Sequence, residues 1–262
     1  MFLDKEEELL NNEFKEKGFL IRDSYDHNSL EIIKQTFVDD LKKKFQIKDS
    51  NQDILNNFHK YIELKDLNNY RLELINKINS TEGFRLNYFN TAKKLLYSIV
   101  GNELVMQNRI NLSIQLPGDE SSLLPIHSDT WSGDSPYEVV VWLPIVDCYS
   151  TKSMYILPPK YKNEINVYFQ EKANATSDEI YEAIKDKVEW INIKYGEVLI
   201  FNQNLPHGNI INRETETRWT MNCRFKSVFS PYGDKKIGEF FEPITLRSVS
   251  EIGMKYKYPN EK

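Results

Sequence analysis

The sequence predicts a β-rich α+β fold, a double-stranded β-helix (jelly roll) with N-terminal helices packed on one sheet. Three observations predict it. The first hundred residues contain no proline and repeat apolar residues at helical spacing. Residues 107–229 break into short β-branched and aromatic runs separated by turn signals. His127, Asp129 and His207 fall where paired strands of such a barrel bring three side chains to one face.

The helical part begins at Asp4 with Glu7, a capping-box pair, and an apolar stripe through Leu10 and Phe14 stops at Gly18. Phe19-Leu20-Ile21 reads as a short strand. Leu30, Ile33, Phe37, Leu41 and Phe45 mark a second amphipathic helix. Ile54, Leu55, Phe58 and Tyr61 suggest a third, Leu67, Tyr70, Leu74 and Ile78 a fourth, and Tyr88, Ala92, Leu95 and Leu96 a fifth. No flexible linker follows, so the chain reads as a single domain over 1–262. Residues 1–106 form a helical support, 107–229 the jelly-roll core and 230–262 a C-terminal extension.

The eight expected strands are Gln107–Leu116, Leu123–His127, Tyr137–Val146, Ser153–Leu157, Glu189–Ile193, Glu197–Asn202, His207–Asn212 and Thr217–Phe229. In the first, Ile110, Leu112, Ile114 and Leu116 alternate with Asn111, Ser113 and Gln115, the pattern of a half-buried strand. A further helix near Ser177–Lys187 has Thr176 and Glu179 at capping-box spacing.

Composition narrows the function classes. A hydrophobic fraction of 40% and an aromatic fraction of 13% suffice for a sizeable core. A net charge of −5 argues against nucleic-acid binding, which needs a concentrated basic face. No apolar run is long enough for a membrane span, and the N-terminus lacks the pattern of a signal peptide. Cys148 and Cys223 alone imply no disulfide framework, which fits a reducing cytoplasm.

His127-Ser128-Asp129 and the distant His207 carry the chemistry. Two imidazoles and a carboxylate on one face suit non-haem Fe(II) with open positions for O2 and a co-substrate. Arg218, eleven residues past His207, is a fixed cation suited to a dicarboxylate whose other end chelates iron. His, Asp, His and Arg in this order suggest an Fe(II)/2-oxoglutarate oxygenase. Arg224 shares the strand face of Arg218 and is a candidate contact for a substrate carboxylate or phosphate. Arg213 lies in a polar turn, and His27 and His59 lack acidic partners at ligand spacing, so all three read as surface residues. Zinc or manganese also accepts such ligands, so a cupin-like isomerase or hydrolase stays open. So does a non-catalytic sugar-binding jelly roll, for which Trp131 beside the metal motif would serve equally well.

These residues, with Phe14-Lys15-Glu16-Lys17-Gly18-Phe19-Leu20-Ile21 and the helix after it, resemble the phytanoyl-CoA-hydroxylase-like branch of Fe(II)/2-oxoglutarate oxygenases. More narrowly, the chain resembles the sporadic carbohydrate-cluster 2-oxoglutarate-Fe(II) oxygenases. That resemblance runs through Arg109–Pro117, His127–Leu143, Asp147-Cys148, Thr151–Met154, Arg218–Ser227 and Gly238–Thr245. It implies that His127, Asp129 and His207 bind Fe(II) and that Arg218 holds 2-oxoglutarate. It also implies a small-molecule substrate, a sugar or nucleotide sugar. Trp142 takes a position where the wider branch places an aromatic against the co-substrate, and Gln115 is a candidate hydrogen-bond partner. Arg109, Asn111 and Trp131 are candidate substrate contacts. Tyr149-Ser150-Thr151-Lys152 and Pro158-Pro159-Lys160-Tyr161 depart from the wider branch's Asn-Gly and Pro-Gly-Ser-His, which separates the substrate from that branch's. The carboxylate ligand Asp129 argues against halogenation, because it fills the position chloride needs.

Overall fold

Asp4 opens helix α1 (Lys5–Lys17): its carboxylate accepts from the Glu7 amide, and the Glu7 side chain accepts from the Asp4 amide in return. Gly18 closes it in the left-handed region at φ 77°. Strand β1 (Phe19–Asp23) follows, then helices α2 (His27–Phe45), α3 (Leu64–Ser80) and α4 (Phe84–Ile99). The computed structural model describes residues 2–48, 53–172 and 175–259. The apolar stripes read from the sequence are the buried faces of these helices, as with Leu30, Ile33, Phe37 and Leu41 in α2 and Leu67, Tyr70, Leu74 and Ile78 in α3. The helix expected around Ile54–Tyr61 is not formed. Asp53 accepts hydrogen bonds from Asn56 and Asn57, and these local bonds leave turns and a 3-10 turn at Phe58–Lys60. Ile54, Leu55 and Phe58 are buried all the same.

The strands are antiparallel and form two sheets. After β1 come β2 (Leu104–Gln107), β3 (Asn111–Gln115), β4 (Val139–Pro144), β5 (Tyr155–Ile156), β6 (Glu189–Trp190), β7 (Glu197–Asn202), β8 (His207–Gly208), β9 (Arg218–Ser227) and β10 (Phe241–Thr245). The larger sheet runs β1-β7-β4-β9-β2-β10, with β3 also on β9; the smaller runs β6-β5-β8. β1 forms where a short strand was expected, and with β2 and β10 it carries the larger sheet beyond the 107–229 span expected for the jelly-roll core. Residues 107–116 are not one strand either. Asn79 of α3 accepts from the Ile110 amide and donates to the Ile110 carbonyl, turning the chain between β2 and β3.

The long central strand β9 has two faces. Trp219, Met221, Cys223 and Phe225 are fully buried in the core shared with the helices. Trp219 packs against Phe37 and Phe58, with ring centroids 5.8 and 5.0 Å away. Its indole N–H donates to the Leu55 carbonyl at 2.9 Å. Arg218, Thr220, Asn222 and Arg224 face the opposite way.

The smaller sheet packs through Tyr155 and Leu157 on helices α5 (Lys162–Glu171) and α6 (Ser177–Ile184). The capping box at Thr176 and Glu179 forms as expected; α5 was not anticipated. Leu123–His127 is not a strand. Asp119 accepts from the amide and hydroxyl of Ser121, Pro125 has no N–H to give, and only His127 makes a bridge, to His207. C-terminal to β10, helix α7 (Ser248–Lys255) ends the described elements. No helix among the described residues is long and apolar enough to cross a membrane.

Candidate metal centre and its cavity

His127 and His207 are tied together by two backbone hydrogen bonds, His127 N–H to His207 O at 3.0 Å and His207 N–H to His127 O at 2.8 Å. Their rings lie 4.3 Å apart between centroids. Ser128 is extended (φ −123°, ψ 135°), so Asp129 projects to the side of His127 as an extended chain requires. Asp129 itself starts a 3-10 turn, Asp129–Ser132, rather than continuing a strand. Ligand atoms of the three residues all lie within 4.8 Å of one another.

The two imidazoles share one hydrogen-bond arrangement. His127 Nδ1 lies 2.9 Å from the Pro125 carbonyl, and His207 Nδ1 lies 2.8 Å from the Leu205 carbonyl. A carbonyl only accepts, so each Nδ1 carries the proton and each Nε2 keeps a lone pair for a metal. Burial first, then the neighbouring His127, pushes the His207 pKa down to about 4, against the opposing pull of Asp129. A neutral imidazole is the form that ligates. Asp129 Oδ1 lies 3.7 Å from His127 Nε2. Two imidazole nitrogens and one carboxylate on a single face fit a divalent first-row metal with positions left open.

The trio lines a cavity of about 260 Å³ whose floor is the inner face of β9. Arg218 lies in that floor and is 4% exposed. Its Nη1 donates to the Ser153 carbonyl at 2.8 Å and its Nη2 to Ser113 Oγ at 3.1 Å, while Nε is buried without a partner. Burial lowers its pKa to about 10, so it remains a cation at neutral pH. It forms no ion pair with any described residue. Val140, Trp142 and Phe201 supply apolar wall to the cavity.

Several candidate residues stand elsewhere than the sequence suggested. Trp142 and Asn111 do line the cavity, and Asn111 Nδ2 donates to Asn222 Oδ1 at 2.9 Å across the β3–β9 pair. Gln115 does not line it. Its carboxamide is buried, donating to the Ile210 carbonyl at 2.9 Å and accepting from Asn209 at 3.4 Å. Arg109 lies outside, donating to Asn76 on α3 at 2.6 Å, because the turn at Ile110 breaks the alternation that placed it beside Asn111. Trp131 is 45% exposed on the 3-10 turn and does not line the cavity. Arg224 lines it, but its guanidinium is taken by two acids, Asp129 at 2.9 Å and Asp134 at 3.0 Å. His27 and Arg213 are exposed, as expected, whereas His59 is half-buried with Nδ1 3.1 Å from Thr217 Oγ1.

The sequence reading passed over Ser113, Thr220 and Asn222 as cavity residues. Strand parity with Asn111 and Arg218 is the signal that marks them. Met154, supplied by a connecting segment, carries no such signal.

No family model matches the chain, and no curated protein matches it. Solved structures do share its fold. A non-heme monooxygenase, ThoJ, in complex with nickel superimposes with a TM-score of 0.54 at 14% identity, over 91% of this chain and 89% of that one. HygX from Streptomyces hygroscopicus with nickel and 2-oxoglutarate bound gives 0.54 at 11% identity, over 88% of this chain and 89% of that one. The non-heme alpha-ketoglutarate-dependent carbocyclase SnoK from nogalamycin biosynthesis gives 0.51 at 13% identity, over 93% and 97%. The likeness is one of fold, and its coverage takes in both sheets and the helical layer.

Proposed function

We propose that this protein is a non-haem Fe(II)/2-oxoglutarate-dependent dioxygenase of the phytanoyl-CoA-hydroxylase-like branch, built on a double-stranded β-helix. One observation carries the reading. A buried arginine that forms no ion pair with any described residue shares a cavity with a histidine–aspartate–histidine trio. Asp119 supports its charge from beyond ion-pair distance, and a buried cation left unpaired costs several kcal/mol. An anion entering the cavity would remove that cost, and the trio would take the other end of the same molecule. The 2-oxoglutarate bound in HygX supports the same assignment.

The residues divide the work. His127, Asp129 and His207 would hold Fe(II), with the imidazole tautomers fixed by the Pro125 and Leu205 carbonyls. Arg218, with Ser113 Oγ beside it, would bind the distal carboxylate of 2-oxoglutarate through its two-pronged face. Val140, Trp142 and Phe201 give the cavity between the trio and Arg218 its apolar lining. Fe(II), 2-oxoglutarate and O2 together supply oxidation of a substrate C–H bond, with release of succinate and carbon dioxide. The substrate we propose is a sugar or nucleotide sugar in polysaccharide or glycoside biosynthesis, on the strength of the resemblance to the carbohydrate-cluster oxygenases. The Asn111 and Asn222 carboxamides offer donors and acceptors for its hydroxyls. A cytoplasmic location fits two buried free thiols, both pushed up to about 12 by burial.

Anaerobic titration of 2-oxoglutarate into Fe(II)-loaded protein should produce a metal-to-ligand absorption band. Adding O2 and a panel of nucleotide sugars should then release succinate and give one product heavier by a single oxygen. Retained zinc with no effect of 2-oxoglutarate would support an isomerase or hydrolase. Sugar binding without succinate would support a binding module.

A further inference from the structure

The three candidate ligands are not equally well anchored. The two histidines are bound to each other's backbone. Asp129 opens a 3-10 turn in the connection between Ser128 and β4, outside both sheets. Its backbone N–H donates to the Gln203 carbonyl at 3.2 Å, and that contact does not fix the carboxylate. A ligand carried on a loop is less well positioned than one on a strand.

Arg224 reaches that loop from the middle of β9, which pairs with β2, β3 and β4. Its two terminal nitrogens grip the loop at two points. Nη2 lies 2.9 Å from Asp129 Oδ1 and Nη1 3.0 Å from Asp134 Oδ2, two ion pairs from one guanidinium. The side chain of Asp134 is 4% exposed, and it is pinned a second time by Lys235 Nζ at 2.6 Å. The same Asp129 oxygen faces His127 Nε2. The four charges Asp129, Asp134, Arg224 and Lys235 balance within the cluster. The guanidinium also lies 5.8 Å from the Phe240 ring.

From this geometry we infer that Arg224 is a positioning residue, a two-point clamp between β9 and the Ser128–Asp134 loop that orients the Asp129 carboxylate for metal ligation. It is therefore not a substrate-binding cation. The inference rests on the metal site proposed above. Its specific content is that two nitrogens held in one plane are needed. A lysine keeps the charge but offers one nitrogen in place of two held apart in a rigid fork, so it cannot meet both acids where the guanidinium meets them.

Nickel or cobalt binding by calorimetry tests this without turnover. Wild-type protein, Arg224→Lys, Arg224→Met and Asp134→Asn are each titrated with Ni(II), with folding checked by circular dichroism and thermal melting. Both Arg224 variants should bind about 10–100-fold more weakly, as outer partners of metal ligands generally do when lost. Asp134→Asn, which releases one end of the clamp and leaves Arg224 in place, should weaken binding in the same direction by less. That variant also decides the matter if the Arg224 variants fail to fold. Wild-type affinity in Arg224→Lys would overturn the clamp in favour of simple charge balance. Unchanged or tighter binding in Arg224→Met, as expected when a nearby positive charge is removed from a dication site, would overturn it too. If wild-type protein binds neither metal, the metal-site reading itself fails.

Discussion

A buried cation with hydrogen bonds only to neutral oxygens is half of an ion pair, and Arg218 is in that state. Replacing it by alanine removes the charge that a dicarboxylate would meet. The expected loss in 2-oxoglutarate affinity corresponds to about 3–5 kcal/mol. Metal content should be retained, since no ligand atom of the trio contacts Arg218. Titrating 2-oxoglutarate into Fe(II)-loaded Arg218→Ala protein, with metal analysis alongside, checks both halves; an unaltered absorption titration would remove Arg218 from the co-substrate site. At this scale the trio and Arg218 were legible because backbone parity constrains them. His127 and Asp129 are two apart on extended chain, and Arg218 and Arg224 are six apart on one strand. The partners of Arg224 were not legible. Asp134 meets it only because a loop folds back over β9, and no period in the sequence records that path. Gln115 illustrates the converse: its parity is right, but Ile210 and Asn209 have already used its carboxamide.

Elements differ in how they reached their bounds. β7 (Glu197–Asn202) formed as read, because an apolar run between a glycine turn and a polar Asn leaves little choice. The capping boxes of α1 and α6 likewise act within four residues. The shortest elements were over-read, since β8 keeps only His207–Gly208 of an expected His207–Asn212. Asn209 bonds through its amide to Leu124 O and through its side chain to Ser122 O, and beyond it the ladder ends. So short a strand depends on close approach. A Cβ added at Gly208 would meet the Leu124 carbonyl oxygen at 2.8 Å and Tyr155 Oη at 2.6 Å. The tyrosine is packed in the smaller core, and the carbonyl is backbone and belongs to the segment leading to His127. Gly208→Ala should therefore push the His127 segment off His207, costing about 1–3 kcal/mol as overpacking does and weakening Ni(II) binding. Urea unfolding and metal calorimetry on the same protein measure the two effects. A variant with wild-type stability and wild-type affinity would show that the β8 contact does not govern the site.

Across the whole molecule, β9 separates two environments that the sequence interleaves residue by residue. Odd positions from Trp219 to Phe225 fill the core under the helices; even positions from Arg218 to Arg224 form the cavity floor. The helical layer thus supports the site through the strand and does not touch the reacting space. Its reach into the sheet is concrete: the Trp219 indole donates to Leu55 O, in the turn that joins α2 to α3. Trp219→Phe deletes that bond, leaves the Leu55 carbonyl only the Phe58 amide as a donor and shrinks the ring between Phe37 and Phe58. These losses should total about 1–3 kcal/mol. Because the change lies on the opposite face from Arg218, affinities for Ni(II) and 2-oxoglutarate should stay within about twofold of wild type, as independent sites allow. Thermal melting against paired ligand titrations separates the two faces. If Trp219→Phe lowered 2-oxoglutarate affinity as much as Arg218→Ala does, β9 would be too compliant to keep its faces independent. The cavity would then have to be treated as part of the helical core.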